Sequence, residues 1–352
     1  MTDPAPEKVV IGSAELWLGD CMDVMRDMAA NSVDAIITDP PYFRVKGEPW
    51  DNQWDSPAAF LAWVGGLCEQ FERVLKPNGS LYFFASPQMA ARVECEIGKR
   101  FAVLTSITWR KGGQGKNTVG WSQKAEKEAL RAWLPETERI IFAEHHGADN
   151  IAKGEAGYEA KCDELRGFVF ETLRAYLSDE VRRAGWTPGR LNEAMGFAPR
   201  GMAETRYFGR SQWQLPTEPH YSKMRELLGP EYLRREYEGL RREYEDLRRP
   251  FSVTARDQWS DVWDFDPVQA YPGKHPCEKP QPLLCHILSA STRPGAVVFD
   301  PFAGSGSLGE ACHALGRQFV GVEICPDNHA RAAQRLAYVQ AQQSLPLLAF
   351  RM

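Results

Sequence analysis

Over the first 145 residues, short runs of β-branched and aromatic residues alternate with stretches whose apolar positions recur at helical spacing. Such alternation predicts a parallel sheet covered by helices. The expected strands are Leu16–Gly19, Val33–Thr38, Ser80–Ala85, Val103–Trp109 and Arg139–Ala143. Between them, Pro57–Leu75 places Phe60, Trp63, Val64, Leu67, Phe71 and Val74 at helical spacing and closes on Pro77-Asn78-Gly79, a stop and turn signal. Pro87–Lys99 predicts another helix. From about Gly147 to Pro267 the chain turns charged and helical, with few strand candidates. After Pro280 the rhythm returns: a helix to about Ser291, a strand Ala296–Phe299, a glycine-rich loop, a helix Leu308–Leu315, a strand Phe319–Val322 and a helix from Pro326. Seven strands in one doubly wound α/β sheet are expected, split by an insertion, with boundaries at 1–146, 147–267 and 268–352.

Composition agrees with a globular enzyme: of 352 residues, 43% are hydrophobic and 25% charged, and no apolar run is long enough for a membrane span. Met1–Glu7 is polar and lacks the apolar segment of a secretion signal, so the cytoplasm is the expected compartment. The 8 cysteines show neither C-x-x-C nor clustered His/Cys spacing, which disfavours zinc and disulfide frameworks, and no metal is expected. A net charge of −5 disfavours nucleic acid as a partner until its distribution is read. Between Arg182 and Arg225 stand eight basic residues against three acidic ones, a basic island in an acidic protein.

Two strand ends carry candidate chemistry. Val297-Val298-Phe299 leads into Asp300-Pro301-Phe302-Ala303-Gly304-Ser305-Gly306, a tight loop that opens a helix. Gly304 and Gly306 permit positive φ and close approach of a ligand to backbone. Glu323 ends the next strand, where an acid meets ribose hydroxyls in a nucleotide-binding βαβ unit. The run Gly304-Ser305-Gly306-Ser307-Leu308-Gly309, with Asp300 and Phe302 before it, is read as favouring a smaller adenosyl ligand without a pyrophosphate over NAD. At the other strand end, Val33–Thr38 delivers Asp39-Pro40-Pro41-Tyr42. The two prolines remove backbone donors and stiffen the turn. The Asp39 carboxylate and nearby carbonyls become fixed acceptors beside an aromatic ring, a corner suited to a planar group bearing an amino substituent.

Together these motifs resemble the amino-group DNA methyltransferases that use S-adenosylmethionine. The catalytic motif precedes the cofactor motif with a long variable region between, the circularly permuted order of the β group. The resemblance implies a Rossmann-like methyltransferase core over about 15–145 and 260–340. It also implies that Asp39 and the Pro40 carbonyl accept the amino hydrogens of a base flipped out of duplex DNA, with Tyr42 stacked on it. In the cofactor pocket it implies Asp20 facing the adenine, with Cys21 beside it. Lys279, in His275-Pro276-Cys277-Glu278-Lys279-Pro280, would face the methionine carboxylate, and Glu323, followed by Ile324, the ribose. Asp rather than Ser at position 39 favours adenine N6, with cytosine N4 as the alternative and an inactive DNA-binding regulator as a second. Trp50 and Trp54 either close the loop Phe43–Asp55 over the base or anchor it.

In the insertion, Glu171–Gly185, a helix capped by Thr187 with Pro188 first and Gly196 at its end, and Arg200–Phe208 read as helix, turn and helix, similar to a major-groove reader. Arg190, Arg200, Arg206 and Arg210 are its expected DNA contacts, while Trp213 and Tyr221 are expected to pack. From Glu231 to Phe251, Leu233, Tyr237, Leu240, Tyr244, Leu247 and Phe251 form a heptad stripe. The stripe must bury itself on its own domain or on a partner, and its shortness argues for its own domain; the family's habit and the stripe together point to a homodimer. Neither the recognition sequence nor a cognate nuclease can be read from the chain.

Overall fold

A computed structural model describes residues 6–45, 47–111, 136–146, 170–209, 213–254, 257–272 and 274–343, with single positions 128, 131 and 133. The chain divides into two compact units, one of residues 1–144 and 250–352, the other of 145–249.

Among the described residues the first unit is built on a sheet of nine strands: β1 (Glu7–Ile11), β2 (Ala14–Leu18), β3 (Val33–Thr38), β4 (Leu75–Ala85), β5 (Phe101–Lys111), β6 (Thr137–His145), β7 (Val262–Phe265), β8 (Val297–Asp300) and β9 (Gln318–Glu323). Their spatial order is β1-β2-β9-β8-β3-β4-β6-β5-β7. The expected seven are corrected to nine by the two edge strands. β1 pairs antiparallel with β2, and β7 runs parallel to β5 with Val262 opposite Thr108. Both were hidden by their surroundings: β1 is almost wholly exposed, and β7 is a four-residue strand in a charged stretch. Residues 250–267, expected with the second segment, fall in the sheet unit.

Side-chain alternation along the strands fills two cores. Leu81 and Phe83 of β4 face a cluster with Val24, Val64, Leu67 and Phe71. Those partners come from the helices α1 (Cys21–Asp27) and α2 (Pro57–Val74), and α3 (Ala90–Ile97) adds Val93. Tyr82 and Phe84 face a second cluster with Ile287, Leu308 and Leu336. Burial on both faces is why these strands read as continuous apolar runs. Ser56 caps α2 by accepting from Ala59 N at 3.1 Å, and Pro57 occupies its first position.

The second unit carries α4 (Glu171–Arg183), α5 (Pro188–Ala194), α6 (Glu218–Leu228) and α7 (Tyr237–Leu247) around Leu177, Leu191, Met224 and Leu240. Thr187 caps α5 through Arg190 N at 3.2 Å, and Trp213 and Tyr221 are buried. The expected helix Arg200–Phe208 is corrected to a π-helical turn, Ala203–Phe208, because Arg200 sits at φ 54, outside helical space. The heptad helix is shortened to α7, and its stripe lies on its own unit, the side that its shortness favours. Leu233 lies at φ 48 before α7 begins, and the stripe Tyr237, Leu240, Tyr244 and Leu247 packs into the unit's own core. Returning to the first unit, α8 (Gln281–Ser291), α9 (Ser307–Ala314) and α10 (Pro326–Gln343) cover the second face of the sheet. Among the described residues no helix is long and apolar enough to cross a membrane.

Candidate active site

The sheet order sets the site. From β8 the chain continues through α9 to β9 on one side, and from β3 through α2 to β4 on the other, so the winding reverses between β8 and β3. These strands are parallel neighbours, with Ile36 opposite Phe299, so both release their loops at the same edge. Asp39 and the glycine loop, some 260 positions apart in sequence, meet there for that reason. Open α/β sheets bind ligands at this crevice.

A cavity of about 560 Å³ occupies the crevice, lined by Asp39, Pro40, Pro41, Tyr42, Lys279, Asp300, Phe302–Ser305, Glu323 and Ile324 among others. That volume is ordinary for a small-ligand site. Within the loop, Gly304 has φ 51 and Gly306, which starts α9, has φ 73. A Cβ on Gly304 would stand 3.3 Å from the His275 ring, and one on Gly306 3.1 Å from Ala332. Glu323 braces the loop: one carboxylate oxygen accepts from Gly304 N at 2.9 Å, the other from Cys325 N at 2.8 Å. The Ile324 backbone and the Asn328 side chain also bond this carboxylate, which burial raises. Asp300 accepts from Phe302 N at 3.0 Å, and burial pushes its carboxyl up to about 7. Ile324, 67% exposed, offers an apolar face on the cavity wall. A left-handed glycine loop, a carboxylate beside it and an apolar side chain are the donor and packing set that an adenosyl ligand requires.

At the other end of the cavity lies a charged cluster. The Tyr42 hydroxyl donates to Asp39 Oδ1 at 2.6 Å, with Glu138 Oε2 at 3.2 Å as a second acceptor. Lys279 donates to Asp39 Oδ2 and stands 3.4 Å from Glu138 Oε2, while Lys111 holds Glu138 Oε1. Burial raises the Asp39 carboxyl, against the pull of Lys279 and the Tyr42 hydroxyl. Burial, with the two carboxylates, also raises the Tyr42 phenol well above its ordinary value. Glu138 is held low despite its burial, because Lys279 and Lys111 both face it. Lys279 is raised: burial opposes its charge, but Asp39 and Glu138 outweigh it.

Several sequence expectations change here. Lys279, expected at a methionine carboxylate, lines the cavity and in the protein by itself is the counter-ion of Asp39 and Glu138, since two buried carboxylates in one crevice require a cation. Asp20 caps α1 through Met22 N at 2.7 Å, and Cys21 is packed in the first core, so neither lines the cavity. Trp50 lines the cavity, whereas Trp54 is buried against Phe60 and Trp63 as an anchor. In the second unit Arg190, Arg200 and Arg206 are exposed, Arg190 over the Trp186 ring at 4.0 Å. Arg210 lies outside the described residues. Glu138 was not anticipated. A lone acid at the start of a strand carries no signal until the antiparallel pairing of β6 with β4, Arg139 opposite Ala85, brings it to the ligand edge.

A doubly wound sheet with a glycine loop, its brace Glu323 and an acidic acceptor at the switch point defines a Rossmann-like group-transfer enzyme for an adenosyl ligand. The family is given by comparison: the N6_N4_Mtase family, described as DNA methylase, matches residues 33–334, and the chain belongs to it. Its members use S-adenosylmethionine. The DNA adenine methyltransferase YhdJ of Escherichia coli K12 is 24% identical over 314 residues, 87% of this chain and 76% of that protein. The Type II methyltransferase M2.DpnII of Streptococcus pneumoniae is 44% identical over 82 residues, 22% of this chain and 31% of that protein. Among solved structures, the PvuII DNA methyltransferase (cytosine-N4-specific) shares the fold with a TM-score of 0.50 at 11% identity, covering 95% of this chain and 93% of that one.

Proposed function

We propose that the protein methylates the N6 amino group of adenine in duplex DNA, with Asp39 as the acceptor that aims the nitrogen. The observation that carries this reading is the meeting of Asp39 and the glycine loop at the β8–β3 switch point. When bound, S-adenosylmethionine supplies an electrophilic methyl group on a sulfonium. Gly304, Gly306, Glu323 and Ile324 would hold its adenosyl part. An exocyclic amino nitrogen is a poor nucleophile because its lone pair is conjugated with the ring. Asp39 and the Pro40 carbonyl accept its hydrogens and fix its direction, so positioning provides much of the acceleration. Tyr42 holds Asp39 Oδ1, which keeps the carboxylate from rotating away. Since the nitrogen lies inside the stacked duplex, the base must be extruded to reach the crevice, at a few kcal/mol of unstacking.

The name of the Escherichia coli relative supports adenine, and cytosine N4 is the competing product. Incubation with duplex DNA and methyl-labelled cofactor, followed by digestion and mass spectrometry, is expected to yield N6-methyladenine. N4-methylcytosine as the sole product would overturn that choice. The order of the motifs fits a circularly permuted core in which 145–249 is inserted as the target-reading unit. A homodimer now rests on family resemblance alone.

Within that unit Arg190, Arg200 and Arg206 are exposed cations in the basic island, and we assign DNA contact to them. Alanine at any one that reads a base should cost about 1–3 kcal/mol at one position of the site, whereas loss of a phosphate contact weakens binding to all sequences. Fluorescence anisotropy at two salt concentrations separates these cases. Wild-type binding by all three variants would place recognition elsewhere.

A further inference from the structure

We propose that Glu138 is a positioning residue for methyl transfer: it takes over the Lys279 ammonium when the amino group of the target base engages Asp39. This deepens the transfer-site reading above and rests on it. Both oxygens of Asp39 are occupied in the protein by itself, Oδ1 by the Tyr42 hydroxyl and Oδ2 by Lys279. An incoming amino group therefore competes with a cation for Oδ2. The side chains of Lys279, Asp39 and Glu138 are 8%, 16% and 13% exposed, so a displaced ammonium is little solvated where it stands. A buried charge deprived of its partner is heavily penalised.

Glu138 removes that penalty. Its Oε2, which the Tyr42 hydroxyl also reaches, already stands 3.4 Å from the same Nζ, while its Oε1 is fixed by Lys111, so Oε2 is the oxygen placed to receive the cation. The ammonium is a compact head with three donors on a flexible stem, so a small rotation completes the handover. Phe84 and Trp109, with ring centroids 4.9 and 6.0 Å from Nζ, form an aromatic floor along which the cation keeps favourable contact. Tyr42 links the two carboxylates, bonding Asp39 and reaching Glu138 Oε2 at 3.2 Å. Arrival of the base thus shifts one cation between two carboxylates without changing the charge of the pocket.

The test is a set of steady-state measurements on full-length protein with duplex DNA, backed by calorimetric cofactor binding and thermal unfolding. Glu138→Gln, which keeps the shape and loses the charge, is expected to lower kcat about a hundredfold with little change in KM for DNA, the pattern of a lost transition-state contribution. Glu138→Asp should regain about tenfold of that loss by restoring the charge. In a Lys279→Met background the same Glu138→Gln change should cost less than about threefold, because the cation that it receives is gone. A Glu138→Gln protein with wild-type kcat would overturn the proposal. So would an equal loss in both backgrounds, which would make Glu138 structural. Should Glu138→Gln not fold, Glu138→Asp decides alone: a rate as low as that of Glu138→Ala would overturn the handover. Asp39→Ala is assayed beside them. If it retains wild-type activity, the transfer-site reading itself falls; if it is inactive while Glu138→Gln is not, only the role of Glu138 falls.

Discussion

Replacing Asp39 by alanine is expected to lower the rate of methyl transfer by about 10²–10³-fold, as removal of one preorganised partner of the reacting group does elsewhere. Cofactor and DNA binding should persist, because the glycine loop and its brace Glu323 make no bond to Asp39. Folding should persist as well. Lys279 keeps Glu138 as partner and Tyr42 keeps its second acceptor, so neither is stranded when Asp39 is truncated. The wild-type rate is expected to show an acid limb. Burial raises the Asp39 carboxyl, so it takes up a proton earlier than an exposed aspartate as pH falls, and the protonated form is the poorer acceptor. The limb should therefore lie above the ordinary aspartate range. Single-turnover assays across pH, with filter binding of DNA in parallel, check both statements. A variant within tenfold of wild type would remove Asp39 from the chemistry.

Where burial was two-sided, the sequence was easy to read. β3 is found at its expected bounds, and α2 ends one residue before its expected end, since apolar runs and helical spacing survive whatever surrounds them. Edge strands were not legible. β1 is exposed along almost its whole length, and β7 gains its partner β5 from across a long stretch of sequence. Period alone misled at the heptad: the spacing of Leu233 was right, yet a positive φ there ends any helix before it reaches α7. In the site, the glycine loop and Asp39 were legible because their local chemistry is unusual. The partners of Lys279 were not, because ion pairing is decided by which strands adjoin. Glu138 reaches the crevice only through the antiparallel pairing of β6, a fact of topology with no trace in local sequence.

Gly304→Val is expected to weaken S-adenosylmethionine binding by about 30- to 150-fold, the equivalent of about 2–3 kcal/mol. Two independent effects add at this position. Gly304 sits at φ 51, a region that a β-branched residue enters only at a cost of about 1–3 kcal/mol. Its new Cβ would stand 3.3 Å from the His275 ring, tighter than comfortable contact, and the larger side chain narrows the wall against which the ligand must lie. The loop can relieve the strain by moving, but then Gly304 N leaves Glu323 and the bond that ties the loop to this carboxylate is lost. The free protein tolerates that shift, whereas the bound state requires the original path. The penalty therefore appears in binding more than in folding. Calorimetry with the cofactor, set beside thermal unfolding, separates the two. A dissociation constant within threefold of wild type would show that the ligand does not approach the backbone here. A matching change at Gly316 is the control: that glycine also has positive φ, at 69, but lies outside the cavity, so it should cost stability and leave cofactor affinity unchanged.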